Sequence, residues 1–362
     1  MEPISSHGIS TKSGTESFPP LIHRKHLWVT LDIVIPVYNE QEVLDLLFKR
    51  LESVFSTSNL RENFVTSVCY VMTDDGSVDR SAEIITSYIE KGVPAILYRL
   101  SRNFGHQNAI SAGLEHANAD IVAILDADLQ DPPELILQMI ARWREGYDVV
   151  YGERTKRKEN FVKVSCFWVF YRLLAFLSEI KTPLDSGDFC LLDRRVVQAM
   201  GNLPEKQRFP RGLRSWVGFK QTGLRYERSA RTAGKSKYSF SKLYRLATDG
   251  IASSSIRPLK ATQLFSFCFF VMTALFVIIS IRMFVSYSKT NEIAIWFLLG
   301  YILVALSACV QTLCLYILSA YIGRTYLEVK GRPSYLIMEI VRNENLSVGD
   351  QDNGKSGRSS EN

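Results

Sequence analysis

The chain has 362 residues, 46% of them hydrophobic and 22% charged, with a net charge of +6 at pH 7. That length holds one large domain or two modest ones, and the small basic excess, without a basic stripe interleaved with aromatics, argues against nucleic acid as a partner. The six cysteines (Cys69, Cys166, Cys190, Cys268, Cys309, Cys314) form no Cys-x-x-Cys pair and lie mostly in apolar runs, which favours reduced core or membrane residues over disulfides or zinc ligands.

Residues 1–28 are Ser/Gly/Thr-rich and lack the apolar core of a signal peptide, so a flexible lead is expected. Leu31–Ile35 then predicts a strand closed by Pro36. Val43, Leu46, Leu47, Phe48, Leu51 and Val54 recur at helical period across 42–55. A second strand, 67–72, ends in Asp74-Asp75-Gly76-Ser77-Val78-Asp79, where Ser77 or Asp79 can cap a helix over 80–91. Strand 95–100, helix 106–117, strand 121–125, helix 133–145 and strand 148–152 continue the alternation. Regular alternation predicts an α/β fold with a mostly parallel sheet and helices on both faces.

Ile121–Leu125 is an unbroken apolar run followed by Asp126-Ala127-Asp128-Leu129-Gln130-Asp131-Pro132-Pro133, the pattern of a buried parallel strand. Asp126 and Asp128 would stand at its carboxyl end, where open α/β sheets bind ligands. Two carboxylates one residue apart suit a hard divalent cation, Mg²⁺ or Mn²⁺, bridging to a phosphate. Tyr38, Glu40, Asp75 and Asn103 follow other strand ends and would line the same edge. Tyr38 can stack on a base, and Asp75 can accept from a uracil imide or a ribose hydroxyl. Glycine-rich phosphate loops of the dehydrogenase or P-loop kind are missing, so a diphosphate here needs a metal and Arg/Lys for neutralisation.

Four motifs occur in order: Ile35-Pro36-Val37-Tyr38-Asn39-Glu40, Asp74-Asp75-Gly76-Ser77, Ser101-Arg102-Asn103-Phe104-Gly105 and the Asp126–Pro133 run. Over about residues 30–340 the chain resembles family 2 glycosyltransferases of the GT-A (Rossmann-like) fold. The resemblance is to the polyprenyl-phosphate branch, with the bactoprenol glucosyl transferases and dolichyl-phosphate mannose synthase. It implies nucleotide contacts from Pro36, Tyr38, Glu40 and Asp75. It places Asp126 on the ribose or the metal, and Asp128 and Gln130 on the metal. Asn103 is either a nucleotide contact or a capping turn. Arg154 matches an arginine that contacts phosphate, with Lys163 beside it, and Asp188 matches a catalytic acidic residue. A polyprenyl phosphate is already anionic at pH 7, so Asp188 could serve as base or as an orienting group. Arg231-Thr232-Ala233-Gly234-Lys235-Ser236-Lys237 resembles the family's Arg-x-x-Gly-x-Ser-Lys loop, which would bring Arg231, Lys235 and Lys237 to the acceptor phosphate and donor diphosphate.

The expected domains are a catalytic unit over 29–238, a juxtamembrane amphipathic segment over 239–260 and two transmembrane helices within 261–323. A cytoplasmic tail over 324–362, disordered at its end, completes the chain. Residues 161–180 suit a helix lying in the membrane interface. The apolar stretches 264–285 and 293–322 are long enough to span a bilayer, which needs about 20 helical residues. Arg257, Lys260, Arg324, Lys330 and Arg332 flank their outer ends, so a multi-pass protein of the inner (plasma) membrane is expected, with catalytic domain and termini cytoplasmic.

The reading is therefore inverting, metal-dependent transfer of one sugar from a nucleotide-sugar, UDP-linked, to undecaprenyl or another polyprenyl phosphate. The product would supply a lipid-linked sugar to cell-envelope glycans or glycolipids, and two-span relatives imply a homo-oligomer. One alternative is a family 2 synthase elongating a lipid-linked saccharide, although its Gln-x-x-Arg-Trp motif is absent and Arg214-Ser215-Trp216 is a distant echo. The other is a non-catalytic sugar-lipid binding or transport protein.

Overall fold

The structure, a computed structural model, describes residues 27–154, 186–206, 208–228, 257–286 and 290–343. The helix expected over 161–180, most of the juxtamembrane segment, and the site candidates Lys163, Arg231, Lys235 and Lys237 lie outside the described residues.

The first half alternates as expected: β1 (Val29–Val37), α1 (Leu44–Val54), α2 (Thr57–Glu62), β2 (Val65–Asp74), α3 (Ser81–Glu90), β3 (Ala95–Leu100), α4 (His106–His116), β4 (Ile121–Ile124), α5 (Leu135–Arg144) and β5 (Val149–Arg154). β1 lies between β2 and β4 and is parallel to both. A strand so placed must be apolar on both faces. Accordingly Ile33 and Ile35 join the core formed with α1, α3 and α5, while Val34 joins the core under α4. Helix α3 has Arg80 rather than Ser77 or Asp79 at its N-cap, and the Asp79 carboxylate accepts from the Ser81 amide at 3.0 Å in the turn ahead of it.

The next segment adds a strand that the sequence pattern does not assign: Ser186–Asp193 forms β6, between β4 and β5 and antiparallel to both. Its run Phe189-Cys190-Leu191-Leu192 is buried on both faces of the sheet, and four apolar residues between two aspartates are too few for periodicity to reveal. β5 therefore joins the sheet through β6. Helix α6 (Arg194–Gly201) follows, capped by the Asp193 carboxylate accepting from the Arg195 amide, and then α7 (Pro210–Trp216) and β7 (Gln221–Tyr226), which is parallel to β5.

Helices α8 (Arg257–Ser286) and α9 (Thr290–Val329) pack on each other. Their apolar side chains, among them Phe267, Phe270, Ile278, Val304 and Leu315, are more than half exposed. Both helices are long and apolar enough to cross a membrane, and nothing in the described residues buries them. So large an apolar surface has no place in water. The chain then returns as β8 (Ile337–Arg342), antiparallel to β3, and closes the sheet in the order β7-β5-β6-β4-β1-β2-β3-β8.

Candidate active site

Because β1, β2 and β4 run parallel, the residues after them emerge at one edge of the sheet. The turns there need unusual backbone: Asn39, Gly76, Gly105 and Leu129 all have positive φ, at 53°, 68°, 100° and 56°. At Gly76 a Cβ would stand 2.5 Å from the Arg102 carbonyl carbon, so two strand-end loops touch there through bare backbone. The Asn39 amide donates to Ser77 Oγ and the Asn39 side chain accepts from the Val78 amide, each at 2.9 Å, stitching the first loop to the second.

Asp75, 2% exposed, accepts from the amides of Phe104 at 2.7 Å and Gly105 at 3.0 Å, one on each oxygen. Burial pushes its carboxyl up and those two amides pull it down, with burial prevailing. The turn before α4 is thus held by Asp75. Asn103 is exposed, and its carbonyl accepts from Arg102 Nη1 at 3.1 Å. Pro36 is buried in β1, while Tyr38 is 37% exposed at the strand end. Glu40 donates its amide to Ser81 Oγ at 2.9 Å and its carbonyl starts α1.

At the centre, carboxylates and cations alternate. His106 Nε2 lies 3.5 Å from Asp126 Oδ1 and 3.9 Å from Asp188 Oδ2. Arg211 grips Asp188 with Nε at 3.3 Å and Nη2 at 3.2 Å, and Gln107 Nε2 donates to Asp188 at 3.1 Å. Behind them Asp131, fully buried, accepts from the Tyr226 hydroxyl and from Arg228 Nε at 3.2 Å, with Arg154 Nη2 at 3.6 Å. Arg228 Nη2 also reaches within 3.8 Å of Asp126 Oδ2. Gly187 lets Arg154 pass, since a Cβ would sit 2.7 Å from its Nη2.

Burial, then Asp131, Asp188 and Asp128, push the Asp126 carboxyl up to about 6 against the pull of His106. Asp188 behaves oppositely. Burial raises it, but Arg211, His106 and Gln107 together hold it below the ordinary carboxylate range. Asp126 and Asp188, with Arg154 one partner away through Asp131, are thus brought into a single cluster. The residues that spacing did not single out are His106, Gln107, Asp131, Arg211, Tyr226 and Arg228. Asp131 was visible inside its motif, and His106 opens the helix after Phe104-Gly105. Arg211, Tyr226 and Arg228 follow segments whose place in the sheet the sequence did not disclose.

For a divalent cation the donor set fits. Asp126 Oδ1 is buried without a hydrogen-bond partner, and Asp128, 8% exposed, sits in the same turn with Oδ1 accepting from the Gln130 amide at 3.1 Å. Among the described residues no three Asp, Glu, His or Cys side chains converge as a ready-made cage. A cation of the Mg²⁺ kind, held by one or two carboxylates and by substrate phosphates, does not require one.

The description "Glycosyl transferase family 2" matches residues 32–201. The chain is 42% identical to the uncharacterized glycosyltransferase YkcC of Bacillus subtilis over 88% of this chain and 96% of that one. It is 34% identical to the SfII prophage-derived bactoprenol glucosyl transferase of Shigella flexneri, over 85% of this chain and 97% of that one. Among solved structures, the mannosyltransferase PcManGT of Pyrobaculum calidifontis, in complex with GDP-Man and Mn2+, aligns over 84% of this chain and 88% of its own, with 15% identity and a TM-score of 0.43. With a mixed α/β sheet, an acidic cleft at its strand ends and relatives matched over nearly their whole length, this chain is a glycosyltransferase and belongs to glycosyl transferase family 2.

Proposed function

We propose that the enzyme transfers one sugar from a UDP-sugar to a polyprenyl phosphate at the cytoplasmic face of the membrane, with inversion at the anomeric carbon. The observation that carries this reading is one chain that joins a cluster of carboxylates and arginines at the strand ends to two apolar helices that nothing among the described residues buries. The bactoprenol named among its relatives supports the lipid acceptor.

In this reading Tyr38 stacks on the base, while Pro36, Glu40, Asp75 and Asn103 shape the nucleoside pocket. Asp126, Asp128 and Gln130 hold the cation, Mg²⁺ or Mn²⁺, which when bound offsets charge on the departing diphosphate. An oxygen of the acceptor phosphate attacks C1 on the face opposite the diphosphate. The new C1–O bond forms as the bond from C1 to the β-phosphate oxygen breaks, and the electron pair leaves with UDP. No proton need leave the acceptor, and no covalent enzyme intermediate forms. Two anions meet at one carbon, so cations must line the path. Arg154 supplies one from the cleft wall, and Lys163, Arg231, Lys235 and Lys237 are assigned to the acceptor side.

The test uses enzyme in lipid nanodiscs with a panel of radiolabelled UDP-sugars and undecaprenyl phosphate. One label per lipid is expected, abolished by chelation, restored by Mg²⁺ or Mn²⁺, and lost in Asp128→Ala. Label released as free sugar, or built into a growing chain, would refute the acceptor assignment.

A further inference from the structure

At the acidic cluster the Asp188 carboxylate lies deeper than the basic groups beside it. The Asp188 side chain is 8% exposed, whereas Arg211 in front of it is 30% exposed and His106 45%. Both Asp188 oxygens are engaged: Oδ1 by Arg211 Nε, and Oδ2 by Arg211 Nη2 and Gln107 Nε2. A carboxylate in a two-pronged guanidinium grip is stabilised as the anion and is a weak proton acceptor. The elements around it are also distinct: Gln107 and His106 belong to the first turn of α4, Arg211 to the first turn of α7, and Asp188 to β6 between them. Asp188 is the point at which two helix starts are tied to the sheet.

We propose that Asp188 is a positioning residue, a buried bracket that sets Arg211 and Gln107 at the cleft wall, so that substrate meets the guanidinium rather than the carboxylate. The inference rests on the phosphate-acceptor reading above, because an anionic nucleophile needs a nearby cation more than a base. It makes Arg211 a further phosphate-facing residue. Its guanidinium is held by the two bonds to Asp188, with its Cζ 5.8 Å from the centroid of the Phe209 ring. The charged and titratable groups facing the bracket are His106, Asp126 and Arg211, with Asp131, Arg154 and Arg228 behind Asp126.

A double-mutant cycle on the full-length enzyme in nanodiscs tests this, using Asp188→Asn, Arg211→Ala and both together, with UDP affinity as the check on folding. If Asp188 acts through Arg211, each single change should lower kcat/KM for the acceptor about 30- to 100-fold, and the double variant should fall within about threefold of Arg211→Ala alone. Much of the loss should appear in the acceptor KM. The pH profile of kcat should keep its wild-type shape, including any acid limb, in Asp188→Asn, and Arg211→Lys should recover part of the activity. Multiplying losses, or disappearance of that limb in Asp188→Asn alone, would make Asp188 a proton acceptor and overturn the proposal. Were the wild type to glycosylate some other acceptor, the lipid-phosphate reading would fail. The same cycle, run on that acceptor, would still decide for or against the bracket by the same two outcomes.

Discussion

At Asp131 a fully buried carboxylate meets the Arg154 and Arg228 guanidiniums and the Tyr226 phenol, and those arginines are about a third exposed towards the cleft. Removing the charge leaves two cations facing each other without their shared anion. Asp131→Asn is expected to cost about 2–3 kcal/mol in unfolding free energy and most of the transfer rate, whereas Tyr226→Phe, which keeps the ions, should cost about 1 kcal/mol. Urea unfolding with parallel transfer assays checks both, and equal costs would show that the phenol, not the charge, is the brace. Asp32 is a residue-scale case away from the site. It is 8% exposed and accepts from the amides of Asn118 and Ala119 at 2.6 and 3.0 Å. Burial nevertheless outweighs those bonds and raises its carboxyl above 3.8. A raised native value means that ionisation is harder in the folded chain, so stability falls as pH rises through that value. Asp32→Asn keeps an acceptor and removes the ionisation. It should be more stable than wild type at pH 7, with the advantage shrinking as pH falls towards 3.8. An advantage constant with pH would refute the linkage.

At the scale of elements, the loops after β1, β2 and β3 form one interlocked edge, and Gly76 is where they touch. Gly76→Ala would have to move the Arg102–Asn103 backbone and hold Ala at φ 68°. About 2 kcal/mol of destabilisation is expected, with at least tenfold weaker UDP binding, because the loop that displaces also carries the amides holding Asp75. Calorimetric UDP titration beside thermal unfolding separates the two effects; unchanged UDP affinity would detach this loop from the nucleotide. The same elements explain what was legible beforehand. β1 and β4 announce themselves as apolar runs ended by Pro36 and Asp126, and α1 by its period, because each pattern is local. β6 does not. Its burial comes from β4 and β5 on either side, so no local pattern marks the strand that carries Asp188. Asp75, Asp126 and Asp128 were therefore readable from strand ends, and Arg154 from the family resemblance. Arg211 and Arg228 were not, since they reach the site only through α7 and the end of β7.

Across the whole molecule, the second apolar helix is tied to the sheet at one edge. The chain comes back from α9 to form β8 beside β3, the edge opposite β7. Contacts reinforce the return: Glu328 near the end of α9 accepts from the Lys206 amide at 2.9 Å, and Tyr335 donates to Glu115 on α4 at 2.7 Å. β8 grips both faces of the sheet, Ile337 against the core beneath α4 and Val341 against the core beneath α3. On the proposed lipid acceptor, transfer needs the site to stand at a fixed height and tilt to the bilayer, and β8 would set that alignment from the β3 edge of the sheet. Replacing Ile337 and Val341 together by Ser should loosen that attachment by about 2–3 kcal/mol while leaving the central strands intact. UDP affinity should then stay within about threefold, and transfer to a long-chain acceptor in a bilayer should fall about tenfold, the equivalent of 1.4 kcal/mol in the barrier. A short-chain acceptor in detergent, which can approach from any side, should lose far less. Equal losses with both acceptors would mean that β8 supports the cleft itself rather than its alignment with the membrane.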